Sequence, residues 1–240
     1  MKNKTKDRLI KIVSSFVFFS FIIPIVFLII KLITFNYDSE ISRSYSDYVL
    51  MLVQCVLGVI VMILPSIITK KLRLEIPSTM YLIYWVFLYC AIFLGEIRNF
   101  YYHVPHFDTI LHTFSGAMLG ALGFSFISLL NKEPRINLIL SPAFVALFAF
   151  CFGVTFGALW EIYEFSVDGI MGVNMQKFAS SDGTDLIGRM ALEDTMKDII
   201  VDTVGAFVSS LFGYAALKYK KGWLDNLLIK RDTVQAEKNN

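Results

Sequence analysis

Gly157-Ala-Leu-Trp-Glu-Ile-Tyr-Glu-Phe-Ser-Val-Asp168 decides how this chain is to be read. The segment is strongly apolar, yet Glu161, Glu164 and Asp168 fall at i, i+3 and i+7, and a helix stacks such positions in one column. Followed backwards, the column runs through Gly157 and Gly153. Small residues at that spacing let a second helix come close. The acids therefore extend a packing seam and are expected to face neighbouring helices, away from lipid and water. Trp160, beside Glu161, reads as an interface or packing aromatic.

The rest of the chain supplies the setting for such a helix. Of 240 residues, 56% are hydrophobic and 15% aromatic, only 18% are charged, and mean hydropathy is +0.61. This is the composition of a multi-pass membrane protein. Six apolar runs have the ~20-residue length that carries a helix across a hydrocarbon core. They lie at about Ile12–Ile33, Tyr48–Thr69, Ile76–Gly95, Asp108–Leu130, Pro142–Ser166 and Met196–Tyr219. Basic residues before the first run give it the look of a secretory signal. Its length and the lack of a small-x-small cleavage site make it an uncleaved first helix instead.

The fold expected is all-α: a polytopic integral membrane protein forming one six-helix domain over residues 1–230. Helices within 12–95 are peripheral, those within 108–219 form the core, and residues 231–240 are a flexible tail. The longest connection, Gly169–Thr195, is the first place to look for a lid or binding loop, although a plain solvated connection is the commoner outcome. Within it, Asp182-Gly-Thr-Asp185 lacks the ligand spacing of a calcium loop and reads as a turn. Cys55, Cys90 and Cys151 all fall inside apolar runs without a Cys-x-x-Cys pair, so neither a disulfide framework nor a thiolate metal site is expected.

Charge sets the orientation. Of the 22 Lys and Arg, 16 lie before the first run, between runs two and three, between runs four and five, and from Lys218 to the C-terminus. The other six are Lys31, Arg43, Arg98, Lys177, Arg189 and Lys197. The positive-inside rule then places both termini in the cytoplasm. All three histidines and 14 of the 20 acids fall at the opposite, outer end. The net charge of +2 names no partner, and no basic face interleaved with aromatics points to nucleic acid. Membrane lipid is the one surrounding partner the composition requires.

Runs four, five and six each carry a stripe of small residues that turns polar toward the outer end. The stripes are Asp108, His112, Ser115 or Gly116, Gly120, Gly123; then Gly153, Gly157, Glu161, Glu164, Asp168; then Asp198, Asp202, Gly205, Ser209, Gly213. Facing stripes would bring their polar ends together, and carboxylates in a bilayer cost about 2.5–3.5 kcal/mol each on insertion scales, so they need a proton, a basic partner or a cation. The basic partners within reach are Arg98, Lys177, Arg189 and Lys197. The sharper expectation is a divalent cation held by His112 with Asp108, Glu161, Glu164, Asp198 and Asp202. One imidazole among oxygens suits Zn, Mn or Fe, whereas carboxylates alone suit Mg or Ca. The blander alternative is a structural network of shared protons and ion pairs. His103 and His106 flank Pro105 in an interfacial loop, where solvated histidines need no further role.

Asp108-x3-His112, Glu161-x2-Glu164 and Asp198-x3-Asp202-x2-Gly205 resemble the YjdF-type bacterial membrane-spanning proteins over roughly Glu96–Tyr214. A looser resemblance is to VanZ-like envelope proteins, which usually have Gln and Asn where this chain has Glu164 and Asp202. The first resemblance implies a bacterial plasma-membrane location with no established reaction, and the second an envelope or glycopeptide-tolerance role. The residues themselves leave three functions open. One is binding of an envelope cation or ligand. The second is metal-dependent hydrolysis of a lipid-linked or cell-wall precursor, with Glu161 or Glu164 as general base. The third is cation or proton transport, although the acids cluster at one end and not at the midplane. No nucleophile elbow, zincin helix or phosphate-binding loop is present.

Overall fold

The computed structural model describes residues 4–35, 43–131, 140–180, 183–222 and 228–231. Several features anticipated from sequence lie outside these residues: much of the first loop, the Lys132, Glu133 and Arg135 connector, Asp182, and the tail beyond 231. The chain forms α1 (Lys4–Ile33), α2 (Tyr45–Leu72), β1 (Leu74–Glu75), α3 (Ser78–Leu88) with a π-helical continuation Tyr89–Ile97, α4 (Phe100–His103), α5 (Phe107–Asn131), α6 (Pro142–Met171), α7 (Arg189–Lys218) and β2 (Lys230–Arg231). Six of these helical stretches are long and apolar enough to span a membrane, α3 counting together with its π-helical continuation.

Local chemistry accounts for the helix limits. Ser44 and Asp47 open α2 as a reciprocal capping box: the Asp47 amide donates to Ser44 Oγ at 3.2 Å, and the Ser44 amide donates to Asp47 Oδ2 at 2.8 Å. Ser141 caps α6 through the Phe144 amide, and Pro142 occupies a position whose missing N–H costs nothing. Gly172, at φ +64°, stops α6 while its amide returns to the Asp168 carbonyl. Pro65 lies inside α2, where it deprives the Val61 carbonyl of its helical donor. The Tyr84 hydroxyl fills that gap, donating to Val61 O at 2.6 Å. In a bilayer an orphaned carbonyl has no water to turn to, so Tyr84 is what lets α2 run through its proline.

By contact the chain divides into two compact units. The first comprises residues 1–63, 84–111 and 159–197. There α1 packs on the π-helical segment, with the rings of Phe16 and Tyr89 5.2 Å apart. Gly58 of α2 faces the side chains of Phe21 and Ile92. The sequence gives α1 and α2 no small-residue stripe, yet both carry fully buried side chains here, Phe21 and Cys55. Their packing seats large side chains, Phe21 and Ile92, over Gly58 instead of bringing two backbones together.

The second unit comprises residues 64–83, 112–158 and 198–240. Here the glycine stripes meet. A Cβ on Gly116 of α5 would strike the backbone carbonyl of Asp202 on α7, and one on Gly205 of α7 would strike the carbonyl of Thr113 on α5. Gly153 and Gly157 of α6 lie against Ala206 and the Asp202 side chain, and Gly123 of α5 lies against Ala149 of α6. Phe124, Ile127, Val145, Ala149, Ala216 and Leu228 close the apolar end. The chain after α7 returns to this core, where the Ile229 amide donates to Ser125 Oγ at 3.3 Å and β2 pairs antiparallel with β1.

Two boundaries differ from the sequence expectation. Helix α6 continues to Met171 and α7 begins at Arg189, so the long connection is residues 172–188 and not Gly169–Thr195. The polar start of α7 hides a helix because Glu193, Asp194 and Lys197 interrupt its apolar run. The third span ends in π geometry, with the Arg98 amide reaching back five residues to Phe93 O. Nothing in the amino-acid pattern of Tyr89–Ile97 marks that widening.

Candidate functional site

In the second unit, α5 and α7 approach through Gly116 and Gly205, and that proximity sets His112 beside two aspartates. His112 Nδ1 lies 3.1 Å from Asp202 Oδ2, and Nε2 lies 3.8 Å from Asp198 Oδ2. Both aspartates are 2% exposed. Ser115 Oγ, one turn along α5, donates to Asp202 Oδ1 at 2.6 Å or to the His112 carbonyl at 2.8 Å. Thus Asp202 is held from two directions, and its hydrogen bond fixes the plane of the imidazole. Ser115 was legible as a small residue of the α5 stripe; its hydroxyl as an aspartate donor was not.

Within the first unit the other sequence candidates have separate arrangements. Lys177 forms an ion pair with Asp108 and a second, at 3.3 Å, with Asp194, and its ammonium lies 4.9 Å from the centroid of the Tyr101 ring. Of the four basic residues expected near the acids, Lys177 is the one seen paired with them among the described residues. Glu164 Oε1 accepts the Trp160 indole N–H at 2.8 Å, which gives Trp160 a polar role beyond packing. Glu161 is buried at 4% exposure. Asp168 turns both oxygens onto backbone amides, Met175 at 2.7 Å and Gln176 at 2.9 Å. It is a tether for the connection after α6.

The six residues anticipated as ligands therefore fall into two groups. His112, Asp198 and Asp202 are assembled in one unit; Asp108, Glu161 and Glu164 belong to the other, with Asp108 and Glu164 hydrogen-bonded there. His103 is exposed at the end of α4, with Nδ1 2.9 Å from the Asn99 carbonyl, and His106 is exposed at φ +60°.

The 172–188 connection is built, not slack. Asn174 makes a reciprocal pair with the backbone of Ala179, its amide donating to Ala179 O at 2.7 Å and its carbonyl accepting Ala179 N at 3.0 Å. Ser180, Gly183 and Thr184 form a tight turn with Gly183 at φ +83°. Gln176 Nε2 reaches Thr195 Oγ1 at 2.9 Å, tying the connection to the first turns of α7.

Six apolar spans, glycine-mediated helix contacts and an ionisable cluster against those contacts define a multi-pass membrane protein with polar groups buried among its helices. The chain belongs to the family described as Predicted membrane protein (DUF2238), whose model matches residues 17–219. An uncharacterized protein of Thermotoga maritima is similar to it, 31% identical over 151 residues that cover 62% of this chain and 69% of that one. No solved structure matches the chain.

Proposed function

We propose that His112 and Asp198 bind a divalent cation in a bacterial plasma membrane, with Asp202 orienting the histidine, and that the protein serves envelope cation binding or homeostasis. One observation carries this reading: a single imidazole presents its two nitrogens to two different buried carboxylates. A carboxylate on Nδ1 selects the tautomer that leaves the Nε2 lone pair for a metal. An ion about 2.0–2.2 Å from a nitrogen and from an oxygen holds them roughly 3.4–3.8 Å apart at angles of about 110–130°. The 3.8 Å from Nε2 to Asp198 Oδ2 is too long for a good hydrogen bond and falls at the upper end of that range.

Charge supports the same reading. A protonated imidazole would offset one of the two buried carboxylates, whereas a divalent ion beside a neutral imidazole offsets both. The mixed set favours Zn, Mn or Fe over Mg or Ca. The resemblance to YjdF-type proteins and the bias of basic residues support a bacterial plasma membrane with cytoplasmic termini.

Elemental analysis of the full chain, purified without chelator, tests the proposal. Near-stoichiometric Zn, Mn or Fe is expected, released by His112→Ala and bound at least tenfold more weakly by Asp202→Asn. Wild-type protein without metal, or His112→Ala protein that keeps it, overturns the reading.

A further inference from the structure

A cleft of about 1370 Å³ opens within the first unit. Its walls come from the connections after the first, third and fifth spans, and alternation of six spans puts those three connections at one membrane face. Its lining is mixed. Phe35, Met51, Val173 and Phe178 supply apolar wall, while Arg43, Glu96, Asn174 and Lys177 supply polar groups.

Most charges here are already committed. Lys177 has Asp108 and Asp194, and Asp47 caps α2. Two are not. Among the described residues, the guanidinium of Arg43 meets the Met51 sulfur at 3.0 Å and the Ile97 carbonyl at 3.5 Å. Among the described residues no carboxylate lies within ion-pair distance of it. The Glu96 carboxylate, half-buried at the end of the π-helical segment, makes neither an ion pair nor a hydrogen bond among the described residues, although Lys177 and then Arg43 act on it electrostatically from farther off. Asp185, the remaining acid, is exposed at the rim. A cation and an anion that share a cleft without pairing leave a dipole for something else to complete.

We infer that this cleft binds a zwitterion carrying a phosphate and a primary ammonium, the phosphate on Arg43 and the ammonium on Glu96, with the apolar wall receiving the glycerol end of an aminophospholipid. Arg suits the phosphate because its planar fork donates in pairs. An ammonium with three donors suits a carboxylate, whereas a quaternary choline has no N–H to give. The volume of about 1370 Å³ leaves ample room for a head group with part of its glycerol. The inference does not rest on the His112 group.

Native mass spectrometry of the full chain, offered phosphatidylethanolamine, phosphatidylcholine and phosphatidylglycerol in equal amounts, tests this, with soluble phosphoethanolamine as competitor. Phosphatidylethanolamine is expected to be retained at least fivefold over either other lipid. Glu96→Gln should abolish its advantage over phosphatidylglycerol, Arg43→Gln should weaken both, and Arg43→Lys should recover part of the binding. Displacement by phosphoethanolamine at matched concentration upholds the zwitterion site and assigns it to a soluble ligand. Equal retention of the three lipids, or an ethanolamine preference that survives Glu96→Gln in protein of unchanged melting temperature, overturns it.

Discussion

Asp168 shows how one residue type in one column can take quite different roles. It shares a helix face with Glu161 and Glu164, yet its carboxylate holds the amides of Met175 and Gln176. Replacing it by alanine leaves two amides without their acceptor, at about 1–3 kcal/mol for each that stays buried. Asp168→Ala is therefore expected to speed hydrogen exchange at Met175 and Gln176 at least tenfold while leaving the α5 and α7 amides unchanged. Uniform protection throughout would show that the tether is not what orders the connection. The column itself was legible in the sequence, because i, i+3, i+7 spacing fixes a shared face whatever lies opposite. The bond from Trp160 to Glu164 was not read there, although their i, i+4 spacing permits it. The partners of Asp168 were not, since they depend on how the chain turns after Gly172.

At the scale of the element, the helix faces followed from small-residue spacing and the helix ends did not. Gly116, Gly120, Gly153, Gly157 and Gly205 fall where helices meet because lipid supplies no hydrophobic drive between helices and only close backbones gain enough packing. The start of α7 was obscured by its charges, and the π-helical turn by the absence of any compositional mark. The proline in α2 was visible, and it already implied an orphaned carbonyl at Val61; that Tyr84 answers it needed the fold.

Two glycines separate packing from propensity. Gly169 lies inside α6 with nothing within 4 Å of a Cβ, so Gly169→Ala is expected to stabilise by up to about 1 kcal/mol. Gly205 has the Thr113 carbonyl in that space, so Gly205→Ala is expected to destabilise by about 1–3 kcal/mol. It should also weaken whatever the His112 group binds, because α5 and α7 must part. Thermal melts of both variants in one detergent give the two signs, and a shared sign would remove the seam as the determinant of helix approach.

For the whole molecule the question is which face of the membrane holds which connections. Pairing of β1, between the second and third spans, with β2, beyond the last, requires those two segments to share a face. Six spans give the same parity, since the second connection and the C-terminal segment are then separated by an even number of crossings. Parity alone does not say which face is cytoplasmic; the 16 of 22 Lys and Arg gathered at the even connections and termini are the ground on which we propose that it is theirs. A single cysteine is the way to test it, placed in a background where Cys55, Cys90 and Cys151 are replaced by alanine or serine. At Ser180, in the 172–188 connection, it is expected to react with an impermeant thiol reagent in intact cells. At Lys132 it is expected to react only after the cells are opened. The reverse pattern would invert the protein and place the Arg43–Glu96 cleft at the cytoplasmic leaflet, while reaction at both sites in intact cells would break the six-span count itself.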